Sequence, residues 1–284
     1  MIGEMAISVV IPSFNREKLL GRALASVRGQ SLQPQEIIVV DDGSKPGTLE
    51  KLKDVYSEVL WLHQHNQGVA AARNLGIRKS KQPWIALLDS DDEWEPEKLK
   101  LQMQFIHQYK DIRAVHTGEK WIRSGNEVIP PAYLDKSAEL LWERSLANCL
   151  ICPSSVLLHR SVFDEIGYFD EKLLACEDYD FWLRLLIQMP IGLVEQKMVL
   201  KHGGHSDQLS TTTWGMDRFR VQALQKLLDR KDIEENRRTL LRETLIRKCK
   251  ILEQGAHKRN KQEEAISYAK LREKYTTSPL META

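Results

Sequence analysis

Residues 84 to 96 read WIALLDSDDEWEP, an apolar run that breaks into Asp89, Asp91 and Asp92, with Glu93 and Glu95 close behind. Carboxylates this near to one another repel, and a chain tolerates the repulsion where a cation sits among them. Hard divalent ions such as Mg2+ or Mn2+ take oxygen ligands, commonly one or two carboxylates together with substrate phosphates. Asp89 and Asp91 leave the same side of the chain if the segment stays extended, and their natural partner is then a diphosphate. The local alternative is that Asp91 or Asp92 caps the helix expected over EPEKLKLQMQFI. Further acids stand at Asp41 and Asp42 of EIIVVDDGS, where an ordinary turn is the plain reading. Glu177 and Asp178 of CEDYDFWLRL mark the acidic entry to another helix, which its dipole favours.

The elements that must position these groups follow from periodicity. ISVVIP is a continuous apolar run rich in β-branched residues, as in a strand covered on both faces. NREKLLGRALASVRGQ has helical spacing, with Leu19, Leu20, Ala23, Leu24 and Val27 on one face and Gly29 near its end. EIIVV, VLWLHQ and WIALLD read as further strands, separated by helices through TLEKLKDVY and NQGVAAARNLGIRKS. That alternation predicts a parallel α/β sheet. In such a sheet ligands bind outside the carboxyl ends of the strands, so the loops PSFNR, DDGS and DSDDE should converge on one cleft. Between about 110 and 200 the pattern is less regular. AVHTG, EVIPP, PSSVLLH and GLVEQ suggest shorter strands, some antiparallel. From about 215 onward it is helical (RFRVQALQKLLDR, RRTLLRETLIRKCKILEQ, EEAISYAKLREKY) and ends in a frayed tail, YTTSPLMETA.

The totals narrow the class. With 284 residues and a formal net charge of +1, one large globular domain with an appendage is expected. No apolar run reaches the roughly 18 residues of a membrane span. MIGEMAISVVIP enters a strand with no leader pattern, and the four cysteines suggest no disulfide framework, so a reducing cytoplasm is the expected location. Cys149 and Cys152 form a C-x-x-C, but no second thiol or histidine pair completes a zinc site, and CLICPSSVLL reads as apolar loop and strand. A phosphate-cradling G-x-x-x-x-G-K-[ST] loop and a G-x-G-x-x-G after a strand are both absent, which argues against phosphoryl-transfer motors and dinucleotide dehydrogenases. The C-terminal helices carry basic runs (RRTLLRETLIRKCK, AHKRNK). Interleaved glutamates favour a solvated face over peripheral contact with an anionic inner-membrane surface. Nucleic acid is not an expected partner.

Taken in order, VVIPSFNR, EIIVVDDGS, NQGVAAARNLGI, IALLDSDDEW and CEDYDFWLRL resemble the family 2 glycosyltransferases over roughly residues 6 to 210. The resemblance implies the GT-A fold, a Rossmann-like nucleotide-binding mixed sheet flanked by helices, with a C-terminal helical extension. It implies a GT-A domain over 1–212 (nucleotide-binding half 1–110, acceptor half 111–212), then the extension at 213–284 with a flexible tail. It also implies a nucleotide diphosphate sugar donor, a hydroxyl acceptor on a glycan, lipid-linked sugar or small molecule, inversion, Mn2+ or Mg2+, and a place in cell-wall or polysaccharide synthesis.

Carried over residue by residue, the likeness puts Pro12, Phe14 and Asn15 at the nucleoside and gives Asp42 a hydrogen bond from the base. Asp41 would orient the loop or approach the ribose. Arg73 would lie near the ribose or phosphates, or else pair with Asp42 or Asp89. Asp89 and Asp91 match the D-x-D motif, the first acid meeting the ribose and the last the metal, with Asp92 behind them. Asp178 would be the general base and Glu177 would shape the acceptor site, with the reverse assignment open. In KHGGHSDQLS, His205 would meet the diphosphate or metal, with His202 its competitor. Gly68 would permit the turn before the helix that Ala70 to Ala72 hold near the sheet. Trp182 reads as core, whereas Trp214 could stack on a sugar. The Q-x-x-R-W of processive members is missing, which favours single transfer. Two other readings are a polyprenyl-phosphate glycosyltransferase and a non-catalytic nucleotide-sugar binding protein.

Overall fold

The computed structural model describes residues 5–136, 141–204 and 213–277. Its chain divides into two compact units, Met1–Gln208 and Leu209–Ala284.

The first unit is built on one mixed sheet of nine strands among the described residues, ordered β3-β2-β1-β4-β8-β6-β9-β5, with β7 paired to β6. The strands are β1 (Ile7–Ser13), β2 (Glu36–Asp41), β3 (Leu60–His63), β4 (Trp84–Leu87), β5 (Glu93–Trp94), β6 (Ala114–Arg123), β7 (Asn126–Val128), β8 (Leu157–His159) and β9 (Gly192–Gly203). β1 to β4 run parallel, β8 lies antiparallel between β4 and β6, and β9 returns parallel to β6. The helices are α1 (Glu17–Arg28), α2 (Glu50–Val55), α3 (Val69–Lys79), α4 (Lys98–Gln108), α5 (Leu141–Ala147), α6 (Ser161–Ile166) and α7 (Glu177–Gln188).

The apolar run of β1 serves two cores because side chains alternate across a strand. Ile7, Val9 and Ile11 pack with Leu20, Leu24 and Val27 of α1 and Met103 of α4. Val10 packs on the opposite face with Ala72 and Ile77 of α3 and with Phe181 and Trp182 of α7. Gly76 sets how closely α3 approaches the sheet: a Cβ there would lie 2.3 Å from Val10 Cγ1 and 3.2 Å from Val40 Cγ2. Ala70 and Ala72, buried one turn earlier in the same core, hold α3 near the sheet as expected. Parallel pairing leaves Ser13 beside Asp41, and β4 ends one strand away. The loops after β1, β2 and β4 therefore share one sheet edge.

The second unit contains α8 (Asp217–Leu228), α9 (Glu235–Lys258) and α10 (Gln262–Thr277), packed through Leu224, Leu227, Leu241, Leu245, Leu252 and Ala265. Among the described residues no helix is long and apolar enough to cross a membrane.

Candidate active site

The loop after β1 opens the site. Phe14 is 44% exposed, so packing within the loop does not account for it. Pro12 is buried, and Asn15 adopts φ +53°, a left-handed backbone that a non-glycine residue enters only when its surroundings hold it there. Asn15 N–H donates to Ser44 Oγ at 2.8 Å, and Lys45 N–H donates to Asn15 Oδ1 at 2.9 Å. The first loop is thus tied to the second. Asp41 accepts from Ser44 N–H at 2.9 Å and faces His63 Nδ1 at 3.1 Å, the loop-orienting role. Asp42 holds a turn. It is buried and accepts from Gln64 Nε2 at 2.7 Å and from the N–H groups of Gln67 and Gly68, each at 2.9 Å. A carboxylate has about four lone-pair positions, and three of Asp42's hold the turn where Gly68 takes φ +92°.

The acidic segment after β4 does not stay extended. Asp92 N–H donates to Asp89 O at 3.0 Å, and this turn folds Asp92 back. Asp91 instead pairs with Arg16 at 3.0 Å. Neither acid caps α4, whose N-cap is Glu97 with no side-chain cap bond. Asp92 is buried, accepting from Ser154 Oγ at 2.6 Å and from His202 N–H at 3.1 Å. Burial, then the charges of Asp91 and Asp89, pushes its carboxyl well above the ordinary range, against the opposing pull of Lys201 and the Ser154 bond. Among the described residues, ligand atoms of Asp89, Asp92 and Cys152 stand within 4.8 Å of one another.

Arg73 joins this segment to the other acidic motif. Buried on α3, it donates from Nη2 to Asp89 Oδ1 and from Nη1 to Glu177 Oε1, both at 2.6 Å. Burial opposes its charge, but the two carboxylates outweigh that and hold it more firmly protonated. Glu177 is buried, and burial raises its carboxyl above the usual range, opposed by the Arg73 guanidinium. The preceding residue, Cys176, has φ +60° at the start of α7. Asp178 is less buried than Glu177, with Oδ1 accepting its neighbour Tyr179 N–H at 2.7 Å and Oδ2 facing the Cys149 thiol at 3.3 Å.

His202 Nε2 lies 2.7 Å from Glu93 Oε1, close enough for an ion pair but out of line for a hydrogen bond. His205 and most of the tail lie outside the described residues. Trp182 is core, edge-on to Phe169 and Phe181. Cys152, Ser154 and Cys149 were not anticipated as site residues. None of the four cysteines is in a disulfide, and the two of C-x-x-C face different acids. The available signal was the spacing of CLICPSS, which the short turn Pro153–Ser155 sets against the end of β4. Trp94 Nε1–H donates to Ser154 O at 2.7 Å and anchors that turn.

A mixed sheet with acidic loops gathered at one edge is the arrangement of a GT-A-like unit, and the comparisons agree. Residues 8–167 match glycosyl transferase family 2, and the chain belongs to that family. An uncharacterized glycosyltransferase from Haemophilus influenzae is 31% identical over 183 residues, covering 63% of this chain and 62% of that protein. The Escherichia coli UDP-Glc:alpha-D-GlcNAc-diphosphoundecaprenol beta-1,3-glucosyltransferase WfgD is 28% identical over 182 residues, 63% of this chain and 69% of that one. The chain spans about a third of the length of two Rickettsia relatives. Staphylococcus aureus TarS residues 1–349, crystallised with UDP-GlcNAc, superposes with a TM-score of 0.74 at 20% identity, covering 93% of this chain and 79% of TarS 1–349. That likeness establishes the GT-A fold.

Proposed function

We propose that the chain transfers one sugar from a nucleoside diphosphate sugar to an acceptor hydroxyl, inverting the anomeric carbon. The observation that carries this reading is the Arg73 bridge, which fixes the acids after β4 and those opening α7 as parts of one site. A metal-type cluster and a base-type cluster would have no reason to share a buried guanidinium if each were only a local turn or cap. The donor's nucleoside would lie over Phe14 beside Pro12, Asn15 and Asp41, with Asp42 holding the turn beneath. WfgD and the TarS complex both carry UDP-sugars in their names, which favours a uridine donor, and WfgD's name favours a lipid-linked sugar as acceptor.

Asp89, Asp91 and Asp92 suit Mn2+ or Mg2+. Asp89 and Asp92 already converge, Asp92 is crowded by like charges, and Asp91 can join by leaving Arg16, a partly exposed pair of modest strength. His205 is the further candidate ligand from the chain. When bound, such an ion supplies Lewis-acid neutralisation of the departing diphosphate. Burial raises the Cys152 thiol, so it sits beside the acids as a neutral group.

Asp178 is the base. The acceptor oxygen forms its bond to the anomeric carbon as the bond to the diphosphate oxygen breaks, and the hydroxyl proton passes to an Asp178 oxygen. Glu177, pinned by Arg73, shapes the acceptor side. General-base catalysis contributes about 10^2 to 10^4 in rate, so Asp178→Asn should lose transfer by that order while keeping stabilisation by nucleoside diphosphate. A thermal-shift series of nucleoside diphosphates with and without Mn2+ names the base and tests the cation. If no nucleoside diphosphate stabilises the chain, the proposal is wrong.

A further inference from the structure

In the helical unit, the exposed indole of Trp214 lies just before α8 and gathers three cations. The guanidinium carbon of Arg259 is 4.3 Å from the ring centre, that of Arg218 4.4 Å, and Lys261 Nζ 4.9 Å. Two glycines make the room. A Cβ on Gly215, which has φ +69°, would come within 3.1 Å of Arg218 Nε, and one on Gly255 within 3.1 Å of Arg259 Nη1. The end of α9 completes the arrangement. Asn260 takes φ +57°, its N–H donates to His257 O at 3.0 Å, and Lys261 N–H returns to Ala256 O at 3.0 Å. This left-handed cap ends the helix between Arg259 and Lys261, which both reach the indole.

Like charges gathered on one ring repel, as the carboxylates after β4 do, and an anion relieves them. Lys261 has Glu264 at 2.7 Å, but Arg218 and Arg259 have no acid partner among the described residues. Arg218 donates only to backbone oxygens, Trp214 O at 2.6 Å and Gly215 O at 3.4 Å. Beside them is a cavity of about 310 Å³, walled by Met216, Ile251 and Leu252, with Arg259 and Arg220 on its lining. Its one lining acid, Asp217, is held by Arg220 and Lys248, each at 2.9 Å.

From this we infer that the Trp214 cluster is a binding site for a phosphate-bearing saccharide. Planar guanidinium forks match phosphate oxygens, and the indole holds them oriented. Ile251 and Leu252 offer an apolar wall to a sugar ring. The volume is at the lower end for small-molecule sites, sized for one phosphosugar unit. The site lies wholly within the helical unit, and its occupancy does not depend on the transfer reaction proposed above.

Calorimetric titration of the full chain with glucose 6-phosphate tests it, alongside vesicles of phosphatidylglycerol, whose headgroup shares the phosphate but lacks the sugar. The parent should bind the phosphosugar with Kd on the order of 1 mM or tighter. Arg218→Ala/Arg259→Ala should bind at least about tenfold more weakly, and Arg259→Lys, which keeps the charge but not the fork, should fall between. Asp89→Asn should bind like the parent, which separates this site from the acidic cleft. If the double variant does not fold, the loss in Arg259→Lys decides. No saturation of the parent by about 10 mM, binding to vesicles alone, or unchanged affinity in the arginine variants would each overturn the assignment.

Discussion

Replacing Arg73 with methionine removes the guanidinium that two acids share and leaves their carboxylates facing a thioether. The Arg73 and Glu177 side chains are 4% and 6% exposed, whereas Asp89 is 24% exposed. Stranding a buried charge by deleting its partner costs about 3–5 kcal/mol, and this applies to Glu177. The half-open Asp89 contact adds about 1 kcal/mol at most. A loss of about 4 kcal/mol is a large part of the 5–15 kcal/mol that ordinarily holds a domain folded. Its pH dependence has a definite sign. Without the guanidinium, the folded-state pKa of Glu177 rises further above its ordinary value of 4.5. The folded variant then holds a proton that the unfolded chain releases, so its stability falls as pH rises above that value. The parent's Glu177 already holds its proton up to about 7, so the deficit should stay level below that and grow as pH rises through about 8. Urea unfolding followed by tryptophan fluorescence is the assay, since six of the seven tryptophans lie in the α/β unit. Adding Glu177→Gln should restore part of the loss, as coupled neighbours do in a double-mutant cycle. A deficit below about 1 kcal/mol, the level of an exposed pair, would refute the reasoning. So would one that does not change with pH.

Two other perturbations follow from the interior. His116 is fully buried, neither ring nitrogen has a hydrogen-bond partner among the described residues, and burial, with Lys136 adding to it, lowers its pKa from 6.5 to about 3. Between those values only the unfolded chain takes the proton, so stability should fall as pH drops below 6.5, by up to about 5 kcal/mol at the bottom of the window. His116→Phe should flatten that slope in urea midpoints taken from about pH 7 to about pH 4; equal slopes in variant and parent would count against it. Gly76→Ala gains about 1 kcal/mol of helix propensity, yet its methyl would meet Val10 Cγ1 at 2.3 Å. Overpacking of about 1–3 kcal/mol should win, lowering Tm, and adding Val10→Ala should raise Tm again; a Tm above the parent's for Gly76→Ala alone would show that α3 can slide.

What was legible in the sequence was what repeats or clusters locally. The β-branched run of β1 gave a strand covered on both faces because successive residues enter opposite cores, as Val9 and Val10 do. The helical spacing of α1 and α7 was visible for the same reason. The two-residue β5 and the short α5 and α6, of seven and six residues, hardly show a period, and their pairings come from distant chain. The acids after β4 could be picked out as a group, but their geometry turned on one backbone bond from Asp92 to Asp89 O, which residue types do not announce. Cys152 and Ser154 were harder still, because a C-x-x-C invites a search for more thiols or histidines. Here its neighbours were carboxylates, Asp178 at 29 residues from Cys149 and Asp92 at 60 residues from Cys152.

Arg73 marks the deeper limit. Its partners stand 16 and 104 residues away, and a salt bridge to Asp89 was one of several roles open to it from sequence. The pairing to Glu177 requires α3 to lie against β1 at the distance Gly76 allows and α7 to begin through the left-handed Cys176. Packing decides both. A guanidinium held by two carboxylates at 2.6 Å is oriented before any ligand arrives, and it fixes the distance between Asp89 and Glu177, next to the residue proposed as base. Substitutions in the packing of α3 should therefore reach the chemistry through Arg73, in proportion to how far they move that one side chain.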